Sequence, residues 1–121
     1  MTFTGIEFAA ITKMVFAIVN ADDKIDNKEI RYIATEMARF GITESSTILK
    51  MAEEMETSKA VGTIAALDDE RKRYVSAYLG TTMIIDGEID EKELALWRLI
   101  TSLCSLPQMT VKEAIEYIKG R

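Results

Sequence analysis

Histidine is absent from this chain, cysteine and proline occur once each, and aromatic residues make up only 7% of it. Without histidine, serine–histidine and cysteine–histidine catalysis, histidine general bases and nearly all imidazole-favouring metal sites lose their usual participant. Any bound metal must then rely on oxygen ligands, which points to calcium or magnesium. The lone Cys104 excludes an internal disulfide, and no secretory n-region with a cleavage pattern opens the chain, so a reducing cytoplasm is the expected compartment. Acidic residues outnumber basic ones, 20 to 15. The net charge is −5, and the only dense basic run, Arg71-Lys72-Arg73, directly follows Asp68-Asp69-Glu70, a balance that repels nucleic acid and anionic bilayers. The longest apolar run, Ile6 to Val19, is interrupted by Glu7 and Lys13 and is too short to span a bilayer, so it reads as a buried helix without direct membrane insertion.

What is present is a globular composition: 121 residues, 48% of them hydrophobic and 29% charged. Residues 1–121 are expected to form a single domain, and a chain of this size buries roughly two-thirds of its unfolded surface. Apolar residues recur with helical spacing throughout, and no stretch alternates with a period of two for long, so the predicted class is all-α with seven helices. Thr4 and Glu7 form a T-x-x-E capping box for a first helix reaching about Asn20. A second is capped by Asp26, carries Ile30, Ile33, Ala34 and Met37 on one face and ends at Gly41. The third is predicted over about Glu44 to Glu56, capped by Thr43, with Ile48, Met51, Ala52 and Met55 as its buried stripe. A short fourth follows Ser58 and ends near Leu67. Asp68 caps a fifth that extends to about Ile85, and Asp69 and Glu70 suit its positive end. The sixth starts at Asp90 with Leu94, Trp97, Ile100 and Leu103 facing inward, before Pro107 stops the chain from continuing as helix. The seventh begins with the box Thr110/Glu113 and ends at Gly120.

The most distinctive pattern is an acidic octet that occurs twice, 64 positions apart: Asp22-Asp23-Lys24-Ile25-Asp26-Asn27-Lys28-Glu29 and Asp86-Gly87-Glu88-Ile89-Asp90-Glu91-Lys92-Glu93. Both read D-x-x-I-D-x-K-E between two helices, so helices one and two correspond to helices five and six. Much of each octet is turn and capping chemistry. Asp26 and Asp90 are favoured N-caps, Glu29 and Glu93 hold the reciprocal position, and Ile25 and Ile89 fit hydrophobic staples against Ile30 and Leu94. Each cap contributes about 1 kcal/mol. Asp22 and Asp86 differ, because each follows a helix whose macrodipole disfavours an anion there. They are open to two readings, an Asx-type turn or a ligand role. Neither octet is an EF-hand: counting from Asp86, Glu91 stands where glycine is needed and Trp97 where a bidentate glutamate is needed, and from Asp22 those places hold Asn27 and Ile33. A cation would therefore need pooled carboxylates, and the candidate ligands are Asp22, Asp26, Asp86, Glu88 and Asp90.

These turns, read as Ala21 to Glu29 and Ile85 to Glu93, resemble the A-D-G-x-I-x-x-x-E turns of the tellurite-resistance TerB-like family. Phe40-Gly41-Ile42 and Leu103-Cys104-Ser105-Leu106 are similar to the hydrophobic ends of that family's motif-bearing helices, and the likeness covers most of the chain. The resemblance implies a seven-helix bundle, an intracellular bacterial setting linked to stress responses, an acidic surface proposed to bind cations, partners near the membrane and no established catalysis. Asp23 and Lys24 depart from the pattern, which makes the second turn the better cation candidate.

The expected function is thus a non-enzymatic TerB-like protein-interaction module, with no catalytic residues and a weak calcium or magnesium site. Two alternatives stand beside it: a helical adaptor whose acidic face needs no metal, and a carboxylate-dependent hydrolase drawing on Tyr74, Tyr78, Tyr117 or Trp97, all of which also fit a core. Met14, Met37, Met51, Met55 and Met83 read as core filler, Cys104 as an inert buried thiol, and Glu53-Glu54-Glu56 as a solvated face.

Overall fold

In the computed structural model, which describes residues 1–19, 27–84 and 89–120 (the side chains of 27, 29 and 30 excepted), two helices are buried over most of their length. Helix α1 (Gly5–Val19) buries Phe8, Ala9, Ala10, Ile11, Thr12, Met14, Val15, Ile18 and Val19, and α5 (Asp69–Thr82) buries every residue from Tyr74 to Thr82. A buried helical stretch needs neighbours on every side. The cover comes from α2 (Asn27–Arg39), α3 (Ser45–Glu54), α4 (Thr57–Ala65), α6 (Glu91–Leu103) and α7 (Val111–Lys119). All seven elements among the described residues are α-helices, and their buried side chains form one continuous core.

The helix starts follow local chemistry. The Thr4 amide donates to Glu7 Oε1 (2.8 Å) and the Glu7 amide to Thr4 Oγ1 (3.1 Å), closing the first box. The Thr110/Glu113 box closes likewise, at 3.0 and 3.1 Å. Asp68 accepts from the Arg71 amide at 2.9 Å, and this bond holds its carboxyl below the usual range. Two starts differ from expectation. The N-cap of α3 is Glu44 instead of Thr43, and that of α4 is Glu56 instead of Ser58; neither side chain makes a capping bond. Met55, with φ −72° and ψ 135°, turns the chain between α3 and α4 earlier than the sequence pattern suggests.

The duplication runs through the backbone. Gly5 and Asp69 open α1 and α5, Asn27 and Glu91 open α2 and α6, and Arg39 and Leu103 close them, each pair 64 positions apart. The helix ends repeat as well. Past α2, Gly41 (φ 78°) lets the Ile42 amide donate to the Met37 carbonyl and the Gly41 amide to that of Ala38. Past α6, Ser105 (φ 56°) sets the same pair, from Leu106 to Thr101 and from Ser105 to Ser102. Both are Schellman ends, one with glycine in the left-handed conformation and one without. The third helices follow the scheme too, since α3 packs chiefly on α1 and α7 on α5, while α4 adds a further cover to α1.

Some expected core positions moved. Ala34 is exposed, and the inward face of α2 is formed by Ile33, Glu36 and Met37. Leu103 is 55% exposed, while Glu93, Thr101 and Cys104 turn inward instead. Ile89 is 51% exposed, so most of a staple against Leu94 is not realised. Met14, Met37 and Met83 are core residues as expected, whereas Met51 and Met55 are only half-buried.

Trp97 fixes α6 to α5. Its indole N–H donates to the Ser76 carbonyl (3.0 Å), the Ser76 hydroxyl donates to the Pro107 carbonyl (2.7 Å), and its ring lies over Gly80. A Cβ at Gly80 would stand 2.6 Å from the indole and 3.1 Å from Ala114. Gly80→Ala is therefore expected to lower the melting temperature, an overpacking penalty of about 1–3 kcal/mol outweighing the roughly 1 kcal/mol helical gain. Gly62→Ala, where no atom lies within 4 Å, should instead stabilise by about 0.5–1 kcal/mol. Thermal melts of the pair check this, and equal shifts of one sign would disprove the Trp97 packing argument.

Candidate functional site

Of the five carboxylates expected to meet a cation, Asp90 lies within the described residues, and Asp22, Asp26, Asp86 and Glu88 lie outside them. The Asp26/Glu29 cap lies outside them too. Asp90 is half-exposed at the start of α6, and its Oδ1 accepts from the amides of Lys92 (2.7 Å) and Glu93 (3.2 Å). That is the capping role expected of it. Among the described residues no three acidic or cysteine side chains cluster closely enough to hold a metal ion.

The helix that follows the first octet meets the helix that precedes the second. The Tyr32 hydroxyl, in the second turn of α2, is 2.7 Å from that of Thr81, in the last turn of α5. One turn further along α2, Glu36 is 3% exposed. Its carboxylate accepts from the Tyr74 hydroxyl (2.6 Å) and from Arg39 (2.8 Å), whose head group reaches solvent. A buried carboxylate is tolerable only with such partners. Around it stand Phe3, Phe8, Phe40, Tyr74 and Tyr78, with neighbouring ring centroids 5.1–6.3 Å apart. Tyr32 joins this cluster through Tyr78, at 5.6 Å.

Sequence reading missed Glu36 as a buried group. Its position was visible, because Ile33, Glu36, Met37 and Phe40 follow i, i+3, i+4, i+7 spacing. An acid on that stripe with an arginine three residues later marks a carboxylate that is turned inward and paired. Tyr78 is the counterpart: its hydroxyl is buried with no hydrogen-bond partner among the described residues. Desolvation first, then the nearby Tyr32 and Glu36, push its ionisation well above the ordinary value.

The remaining candidates are structural or superficial. Tyr74, Tyr78 and Trp97 are fully or almost fully buried, so none is available to hold a substrate, and Tyr117 is half-buried. Burial pushes the Cys104 thiol up to about 11, which keeps it protonated and unreactive at neutral pH. Among the described residues the surface has open hollows beside Trp97, Arg98, Gln108 and Glu113, at Phe3, Glu7, Asp68 and Arg71, at Ile6, Met51 and Met55, and at Gly41, Thr43 and Thr47. No helix of the described residues is long and apolar enough to cross a membrane.

No family model matches the chain, and no curated protein is similar to it. The chain is similar to the crystal structure of a protein of unknown function, PG1108, from Porphyromonas gingivalis. The two share 50% sequence identity with a TM-score of 0.85, over 98% of this chain and 92% of the other.

The two buried tyrosines are expected to respond in opposite directions. Tyr74→Phe removes a bond to a buried carboxylate and should cost about 1–3 kcal/mol, whereas Tyr78→Phe removes an unpaired hydroxyl and should leave stability unchanged or raise it by about 1 kcal/mol. Urea unfolding measures both, and a loss at Tyr78 as large as that at Tyr74 would refute the assignment. Cys104 should react with a thiol reagent at pH 8 no faster than the chain opens, so that raising the reagent concentration brings the labelling rate to a plateau at the opening rate.

Proposed function

The chain belongs to one family with PG1108 of Porphyromonas gingivalis, and we propose for it a non-enzymatic role as a TerB-like protein-interaction module, its two acidic octets forming a weak calcium or magnesium site that modulates partner binding. One observation carries the reading. The duplication extends from the octets to the caps and Schellman ends of the flanking helices, and the Tyr32–Thr81 bond ties the helix that follows the first octet to the helix that precedes the second. A pooled site from Asp22, Asp26, Asp86, Glu88 and Asp90 needs the two octets to share one end of the bundle, and this arrangement of helices supports that. Stress-response association rests on the resemblance of the turns to the tellurite-resistance family.

The metal-free adaptor draws support from Asp90, whose Oδ1 already accepts two backbone amides. A carboxylate engaged in capping still has a second oxygen for a cation, so the two readings differ in outcome and not in chemistry. Under the cation reading Asp90 gives both. Under the adaptor reading it gives only the cap.

A cation that binds the native state must raise the melting temperature as its concentration rises. The expected result is a progressive upward shift over millimolar calcium that is lost when Asp22→Asn and Asp86→Asn are combined. An unshifted melt, or the same shift in the double variant, would leave the adaptor reading in its place. Partner capture that responds to salt but not to chelator would point the same way.

A further inference from the structure

The first turn of α1, opposite the end that leads into the first octet, borders a groove of about 360 Å³ lined by Ile6, Met51, Glu54, Met55, Glu56 and Lys59. Its floor is apolar. Ile6 is 48% exposed, and Met51 and Met55 are half-buried beside it. Unbranched thioether side chains adapt to whatever apolar group they meet, which suits a surface that takes a partner's side chain.

The rim is anionic in a way that costs the fold. Glu53 and Glu54 occupy the last turn of α3, which has no basic residue, while Glu56, beyond Met55, is the N-cap residue of α4 and adds charge to the rim without opposing a dipole. Carboxylates at a helix C-terminus oppose the macrodipole. All three are exposed, and among the described residues none forms an ion pair. Lys13 of α1 is engaged with the Ala52 carbonyl at 3.2 Å, which leaves Lys59 in the groove lining and Lys50, one turn before Glu53 and Glu54 on α3, against three carboxylates. A second copy of the chain in a two-fold contact would set these carboxylates against themselves. A cationic partner would instead relieve both the mutual repulsion and the conflict with the dipole.

We propose that this groove docks a basic amphipathic segment of a partner protein, an apolar side chain seated on Ile6, Met51 and Met55 and lysine or arginine side chains over Glu53, Glu54 and Glu56. The mode is that of an amphipathic segment in a groove, with apolar anchors supplying affinity and the charged rim supplying orientation. The groove involves none of the octet carboxylates, so it stands independently of the cation reading.

Methyl-labelled methionine reports on the groove directly, because Met51 and Met55 line it while Met14, Met37 and Met83 are core. The probes are a synthetic lysine/leucine amphipathic peptide, a lysine/serine peptide of equal charge and a glutamate/leucine peptide. The lysine/leucine peptide should shift the Met51 and Met55 methyls first, weaken about tenfold against Glu54→Lys with Glu56→Lys, and weaken similarly against Ile6→Ser. Binding should be unchanged in Asp22→Asn with Asp86→Asn and indifferent to chelator, which separates this proposal from the cation site. No methyl shift at about 1 mM peptide would overturn it. So would equal binding of the lysine/serine or glutamate/leucine peptide, shifts centred elsewhere, or a groove-mediated dimer in sedimentation. Retained circular dichroism and melting temperature in the rim variant exclude unfolding as the cause.

Discussion

The whole arrangement depends on the burial of α1 from Phe8 onward and of α5 from Tyr74 onward. Burial of nearly every side chain from Phe8 to Val19 and from Tyr74 to Thr82 requires neighbours on all sides. Five shorter amphipathic helices supply them. That requirement explains why helices as short as α4 and α7 persist: isolated helices of about ten residues are marginal in water, so their stability comes from the surface they cover. It also explains the heavy investment in caps, since boxes at Thr4/Glu7 and Thr110/Glu113 and single caps at Asp68 and Asp90 satisfy helix ends that packing alone leaves open.

Duplication set the frame, and divergence decided what each half does. At equivalent positions Ile33 of α2 corresponds to Trp97 of α6, and Phe16 of α1 to Gly80 of α5. Bulk has been exchanged between the two partners: where the second half puts a large indole on a bare backbone, the first half has a smaller Ile33 with an aromatic side chain on the central helix. Volume-conserving exchanges of this kind are the ones cores tolerate. Glu36 corresponds to Ile100, so a paired buried carboxylate in one half matches plain hydrocarbon in the other. The first half thus supplies the acid and the arginine of a polar network that reaches across to Tyr74 of the second, and the second carries the apolar joint of Trp97 on Gly80.

The functional surfaces divide in the same spirit. At one end of the bundle the start of α2 is tied to the end of α5, next to the octets. At the opposite end of α1 a methionine-floored groove carries carboxylates that make neither a capping bond nor an ion pair among the described residues. Both use acidic groups, but by different physics. Asp90 sits where a helix N-terminus welcomes an anion, and Glu53 and Glu54 sit where a helix C-terminus resists one.

Sequence alone determined the helical class, the capped starts of α1, α5, α6 and α7, the 64-residue repeat and the burial of Trp97, because caps, Gly41 and 3.6-residue periodicity act over a few neighbouring residues. It also located Asp90 as a cap and placed Cys104 in the interior. It misplaced Ala34 and Leu103 and overlooked Glu36, since which side of a helical stripe faces inward depends on the neighbour it meets. Periodicity gives a face to within one residue, and no more. Only the tertiary structure decided that Glu36 would find Tyr74, 38 residues away, and that Ile6 would be left uncovered between α3 and α4. Both outcomes follow from long-range packing, whose partners are chosen by shape and by the charge that must be paired once water is gone.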